Sequence, residues 1–166
     1  MTIENWAIRA FRPADAPAFA ALNKRWIEEL FELEESDLRQ LDHPQTAILD
    51  KGGYIAIADA SGWVVGTGAI LPACNPPEDG RIWLEVIKMT TDLAAQRKGI
   101  GNAIMHRLIE FAREQGADAV WLETNAKLEA ATALYEKHGF RILAEAEQWP
   151  TPYDRCNLQM VLELRG

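Results

Sequence analysis

A six-residue run, Gln96-Arg97-Lys98-Gly99-Ile100-Gly101, constrains the architecture of this chain more than any other segment. It follows an apolar, β-rich stretch from Ile82 to Thr91 and precedes an amphipathic stretch that ends near Gln115, which predicts strand, tight loop and helix in succession. Glycine at 99 and 101 lets the main chain approach a ligand closely, and the first N–H groups of the helix have no intrahelical partners. Arg97 and Lys98 add positive charge, so the loop reads as a cradle for a polyphosphate-bearing cofactor. In the helix, Ile100, Ile104, Leu108 and Phe111 or Ala112 recur at helical spacing and predict a face packed on a sheet. That stripe holds the helix N-terminus in place, and each charge-assisted bond it offers contributes on the order of 1.5 to 3 kcal/mol.

Two other phosphate-binding patterns fit less well. G-x-x-x-x-G-K-[ST] is absent, because no Lys-Ser or Lys-Thr follows either glycine, which argues against nucleotide triphosphate hydrolysis. The dinucleotide fingerprint is closer, since Gly99-x-Gly101 follows a strand and Glu123 lies about 20 residues on. Its third glycine position holds Ile104, however, and the unit sits in mid-chain after a hairpin.

The 166 residues, 48% hydrophobic and 25% charged, predict one folded domain over 1–166. A net charge of -8 argues against nucleic acid as a partner and makes the cationic loop stand out as a local receiver of anions. Cys74 and Cys156 lie far apart, and His43, His106 and His138 are scattered, so reduced thiols and no metal site are expected. No apolar run reaches the roughly 18 to 20 residues that span a bilayer, and Met1 to Arg12 lacks a signal-peptide pattern. A cytoplasmic protein with no membrane partner is the expectation.

Strand and helix signals alternate along the chain. Ile3 to Phe11 predicts a strand, and Pro13 with Asp15 starts a helix through Leu30. An acidic helical piece carrying Glu32, Glu34, Glu35 and Asp37 closes before a loop at His43-Pro44. Tyr54 to Ala58 and Trp63 to Leu71 predict a hairpin about Asp59-Ala60-Ser61-Gly62, and Pro72 to Gly80 a breaking loop. After the glycine loop and its helix come a buried strand, Ala119 to Glu123, and a helix from Leu128 to His138 capped by Gly139. Phe140 to Ala144 and Asn157 to Leu164 complete the sheet.

Gln96 to Gly101 matches [QR]-x-x-G-x-[GA], the acetyl-CoA motif of the GCN5-related N-acetyltransferases, and Ala130-Ala131-Thr132-Ala133-Leu134-Tyr135-Glu136-Lys137-His138-Gly139-Phe140 resembles that family's A-x-x-L-Y-x-x-x-G-F stretch. The resemblance is specific from about Glu85 to Phe140 and only topological before Tyr54. It implies a mixed α/β fold with a central, mostly antiparallel sheet of about six or seven strands, splayed in the middle and flanked by about four helices. It also implies acetyl-CoA as cofactor and direct transfer of the acetyl group to an amine of a small molecule or peptide in a ternary complex. A non-catalytic acyl-CoA-binding sensor or interaction module is the alternative. The acceptor, the acyl chain preference and the assembly state, a homodimer included, stay open.

The resemblance assigns roles position by position. Main-chain groups near Met89 and Thr91 would pair with the pantetheine arm, and N–H groups from Arg97 to Gly101, behind Gln96, would bind the diphosphate. An N–H near Met89 would polarise the thioester oxygen. Arg97 stands where relatives often carry glycine, a departure expected to cost little. Tyr135 would donate to the departing sulfur, or else pack in the core with its hydroxyl bonded to backbone.

An amine of pKa near 10.4 is protonated at pH 7 and needs a base. Glu85 is the candidate, in the alternation class of Ile87 and Met89, and needs burial or a bridging water to raise its basicity. The other reading pairs it with Lys88 or an arginine. Glu123 and Asn125 end the next strand, where Asn125 either touches the cofactor arm or shapes the turn. Glu28, Glu29, Glu32 and Glu34 either attract a cationic acceptor, with Trp26, Phe31 and Tyr153 as walls, or form a solvated face. Arg155 would instead bind an acceptor carboxylate.

Overall fold

The computed structural model describes residues 3–165; Met1, Thr2 and Gly166, the ends of the expected domain, lie outside the described residues. Seven strands form one sheet in the order β1-β2-β3-β4-β5-β7-β6. They are β1 (Ala7–Ala10), β2 (Tyr54–Ala60), β3 (Trp63–Pro72), β4 (Trp83–Thr91), β5 (Ala119–Thr124), β6 (Arg141–Ile142) and β7 (Leu158–Glu163). All neighbours are antiparallel except β4 and β5. Among the described residues five α-helices accompany them: α1 (Ala16–Leu30), α2 (Glu35–Asp42), α3 (Pro44–Ala47), α4 (Ile100–Glu114) and α5 (Glu129–Lys137).

Several boundaries differ from expectation, each for a local reason. Pro13–Asp15 forms a separate 3-10 turn, held because the buried Asp15 carboxylate accepts from the Arg12 N–H at 2.8 Å and from the Arg9 guanidinium at 2.8 and 2.9 Å. Glu32 and Glu34 precede α2, whose start is fixed by the Glu34 N–H donating to Asp37 at 3.0 Å. The expected loop at His43-Pro44 is instead the first turn of α3, with proline at a position where no N–H is missed. Strand β6 shrinks to Arg141–Ile142, because Glu145–Glu147 turns the chain away.

The sheet buries a core on each face. On one, Ile100, Ile104, Met105 and Leu108 of α4 pack with Val65, Leu84 and Val86, and Tyr135 and Phe140 close the cluster. On the other, Phe19, Ile27 and Leu41 of α1 and α2 pack on Ile55, Ile57, Ala69 and Ile87. The apolar stripe read from α4 is the one buried, as its 3.6-residue period requires.

Between these layers the sheet opens. Strands β4 and β5 pair only over Trp83–Glu85 and Ala119–Trp121, so their later halves diverge. On its other edge β4 carries a β-bulge: Thr67 pairs with Thr90 and Ala69 with Ile87, which leaves Lys88 and Met89 together opposite Gly68. Lys88 holds φ at 55°, a left-handed conformation uncommon for a side-chain-bearing residue. A Cβ on Gly68 would lie 2.5 Å from both Met89 Sδ and Ile104 Cγ2, so glycine is what admits the Met89 side chain there. The bulge also breaks the expected alternation: Ile87 packs against α1 while Met89 packs against α4.

Candidate active site

A cleft of about 850 Å³ fills the opening between β4 and β5. The loop after β4 forms one end of it. Asp92 caps the 3-10 turn Leu93–Ala95 by accepting from the Ala94 N–H at 2.9 Å, and the chain then reaches Gln96 extended. Arg97 (φ 65°) and Gly99 (φ 80°) are both left-handed, which folds the run back onto the start of α4. The first helical bond runs from the Ala103 N–H to the Gly99 carbonyl at 3.1 Å, so the N–H groups of Ile100, Gly101 and Asn102 precede any intrahelical partner. A Cβ on Gly101 would lie 3.3 Å from Leu134, so this glycine sets how closely α4 approaches α5.

Gln96, Arg97, Gly99, Ile100 and Gly101 all line the cleft, as do Met89 and Thr91; Lys98 is exposed on the same loop but outside the lining. The left-handed Arg97 changes the reading of that position. A non-glycine residue there stores on the order of 1 kcal/mol of backbone strain, so the departure from glycine is not free.

Tyr135 and Glu85 face the same space. Tyr135 sits on α5 with its ring 6.0 Å from that of Phe140, and burial pushes its hydroxyl up to about 12, with the neighbouring Cys156 a smaller cause. Glu85 is 8% exposed. Burial first, and the charge of Glu123 second, push its carboxyl up to about 7 against the pull of the Cys74 N–H and Lys88. The reading in which Glu85 pairs with Lys88 gives way, because the Lys88 ammonium bonds to Asp37.

Glu123 lines the cleft across the opening from Glu85. Thr151 Oγ1 donates to its Oε1, while Oε2 is buried without a partner, and burial raises this carboxyl too. Cys156 beside it is half-buried and Cys74 exposed; both thiols are free, and burial raises the Cys156 thiol.

Asn125 lines the cleft, but its side chain is engaged in the turn: Nδ2 donates to the Arg155 carbonyl at 2.7 Å and Oδ1 accepts from the Lys127 N–H at 3.0 Å. Arg155 departs from its expected role. Its guanidinium donates to both oxygens of Asp37, at 2.5 and 2.7 Å, and to Glu34 at 3.3 Å, so it is committed to the protein's own carboxylates and not to an acceptor's.

Asp37 is wholly buried, and the Arg155 and Lys88 cations hold it below the usual carboxylate range against the opposing effect of burial. Nothing in the sequence pointed to this Asp37–Lys88–Arg155 cluster, whose members lie on α2, β4 and the segment before β7. Lys88 and Arg155 also lie over the Tyr153 ring at 5.2 and 4.5 Å, and Lys127 over Phe31 at 4.6 Å. Trp26, Phe31 and Tyr153 do line the cleft, but two of these aromatic faces already carry a cation. Glu28, Glu29 and Glu32 are exposed, and of these only Glu29 reaches the cleft edge.

A family model described as the Acetyltransferase (GNAT) family matches residues 7–140. The chain belongs to the GNAT family. N-acetyltransferase 8 of Rattus norvegicus is 30% identical over 105 residues, 63% of this chain and 47% of that protein, so the chain spans about half the length of such relatives. Among solved structures, an acetyltransferase of the GNAT family from Staphylococcus aureus superposes with a TM-score of 0.84 at 18% identity, covering 97% of this chain and 100% of that one. A Salmonella typhimurium protein solved with its cofactor acetyl-CoA gives a TM-score of 0.76 at 20% identity, with 98% and 96% covered. These likenesses extend the GNAT fold through α1 and α2, where the sequence alone was only topologically similar. No helix among the described residues is long and apolar enough to cross a membrane, and no His, Cys, Asp or Glu cluster there has metal-ligand geometry.

Replacing Arg97 by glycine relieves the left-handed strain. Urea denaturation of Arg97→Gly is expected to show a gain of up to about 1 kcal/mol. The loss of one exposed charge is expected to weaken coenzyme A binding by less than about tenfold. A loss of stability contradicts the strained backbone.

Proposed function

We propose that this GNAT chain is an acetyl-CoA-dependent N-acetyltransferase that passes the acetyl group directly to an amine, both substrates being held in one cleft. The observation that carries the reading is the meeting of four features there: the unpaired N–H groups that open α4, the bulged strand β4, the Tyr135 hydroxyl and the raised Glu85 carboxyl. These residues fit the cofactor. The Ile100, Gly101 and Asn102 N–H groups suit a diphosphate at a helix N-terminus, with Arg97 adding charge. The unpaired edge of β4 from Met89 to Thr91 suits the amides of a pantetheine arm.

Acetyl-CoA, when bound, supplies an acetyl group activated as a thioester. The Met89 main-chain N–H donates where negative charge develops on the thioester oxygen. Glu85 accepts a proton from the acceptor ammonium, a task for which a carboxyl near 7 is far better matched than an ordinary glutamate of about 4.3. Glu123 assists by holding Glu85 up through its charge. Tyr135 stays protonated throughout the working range and donates to sulfur. With its pKa near 12 against about 8.5 for a thiol, full transfer lies uphill by about 3.5 units, or roughly 5 kcal/mol, so its contribution would be a hydrogen bond to a thiolate-like sulfur, which would take up the second proton that the nitrogen loses and leave as the thiol of coenzyme A. The committed guanidinium of Arg155 favours an acceptor recognised by carboxylates, namely Glu85 and Glu123, over one recognised by its own carboxylate. Incubation with acetyl-CoA and pooled primary amines, followed by mass spectrometry, identifies the acceptor; tight coenzyme A binding with no acetylated product across the pool would instead mark a sensor.

Tyr135→Phe is expected to lower kcat by about 10²-fold or more while leaving the Kd for coenzyme A nearly constant. Unchanged turnover removes Tyr135 from the chemistry. The Glu85 carboxyl accepts protons only when ionised, so kcat/KM is expected to rise with pH and level off above about 7, well below the limb of an amine near 10.4. In Glu85→Gln that lower limb disappears; its survival assigns the base elsewhere.

A further inference from the structure

Resting on the acetyltransferase reading, we infer that a buried hydrogen-bond chain from Trp26 through Asn23 and Thr67 aims and polarises the Met89 N–H. This makes Asn23 and Thr67 positioning residues for acyl transfer.

Every donor in the chain points the same way. Trp26 Nε1 donates to Asn23 Oδ1 at 3.3 Å, Asn23 Nδ2 donates to Thr67 Oγ1 at 3.1 Å, and the Thr67 hydroxyl donates to the Lys88 carbonyl at 3.2 Å. Asn23 and Thr67 are both 0% exposed, so bulk solvent does not compete for these groups. The second Asn23 amide bond, to the Phe19 carbonyl at 2.9 Å, fixes the amide plane on α1. Donations aligned head to tail strengthen one another in a low-dielectric interior.

The chain ends on the peptide unit that matters. Lys88 carbonyl and Met89 N–H belong to one planar, trans peptide, so they point in opposite directions. Thr67 lies on β3 and draws the carbonyl toward β3. The N–H therefore points to the other side of β4, where β5 has diverged and the cleft lies. A hydrogen bond accepted by the carbonyl also makes the N–H across the same peptide a stronger donor.

A bulge residue at φ 55° costs free energy and keeps its geometry only when its surroundings hold it. Lys88 is held twice: Asp37 binds its ammonium and Thr67 binds its carbonyl. The two holds do different things, since Asp37 anchors the side chain whereas only Thr67 sets the tilt of the peptide plane. Trp26 begins the chain and lines the cleft beside it, so the acceptor wall and the donor at the thioester are joined through buried protein.

The test is infrared spectroscopy of acetyl-CoA labelled with carbon-13 at the thioester carbonyl, bound to the whole protein, with the Kd for coenzyme A measured in parallel. Wild-type protein is expected to move the carbonyl band to lower frequency. Thr67→Val, which keeps the shape and removes the donor, is expected to lose about half of that shift or more while Kd changes less than about threefold. Thr67→Ser restores the shift. If Thr67→Val fails to fold, Thr67→Cys keeps the volume with a weaker donor and is expected to give an intermediate shift. Valine and cysteine variants that match the wild-type band overturn the proposal, as does a wild-type band that does not move on binding. Absence of acetyl-CoA binding by the wild-type protein overturns the acetyltransferase reading beneath it.

Discussion

The one-residue bulge at Lys88 and Met89 is the constraint on which the rest of the site depends. By setting two residues opposite Gly68 it reverses the facing of everything beyond it on β4. Met89 goes to the α4 face, Lys88 to the α2 face, and the strand edge toward β5 is left unpaired. Without the bulge, the alternation of Glu85, Ile87 and Met89 would continue on one face and the strands would have less reason to part. The cleft follows from how two strands separate, and the loops then furnish it.

The buried cluster of Asp37, Lys88 and Arg155 belongs to the same arrangement. Desolvating two cations and a carboxylate offsets much of their attraction, so such a cluster contributes little net stability, whereas deleting one member strands a charge. What it does supply is registry. Its members tie α2, β4 and the segment before β7 to one buried carboxylate, so the aromatic side of the cleft and the bulge hold a fixed relation. Across the opening, burial and the charge of Glu123 raise Glu85 into the neutral range, while burial moves Tyr135 above it. Groups whose environments drive their pKa values apart can take the proton-accepting and hydrogen-bond-donating roles at one pH.

Much of this was legible in the sequence, because it depends on residues close together in the chain. The strand, glycine loop and helix from Ile82 to Gln115 are encoded by local period and turn chemistry, as is the α5 segment with Tyr135. The bulge was not legible in the residues themselves, since Ile82 to Thr91 reads as an unbroken strand; the family resemblance implied a splayed strand there, and the register against β3 is what locates the extra residue. The sequence offered Lys88 only as a partner of Glu85 and Arg155 as a binder of an acceptor carboxylate, because their shared partner, Asp37, is 51 and 118 residues away. The Arg97 conformation was hidden for another reason, since a motif that leaves a position free says nothing about its φ.

The proposed receptor for coenzyme A is made by the amides opening α4 together with the parted strands. Calorimetric titration of the protein with coenzyme A tests it most directly. One molecule is expected to bind per chain, with affinity that falls as salt or inorganic pyrophosphate is added. An absence of heat at about 1 mM coenzyme A, or binding indifferent to pyrophosphate, would contradict it.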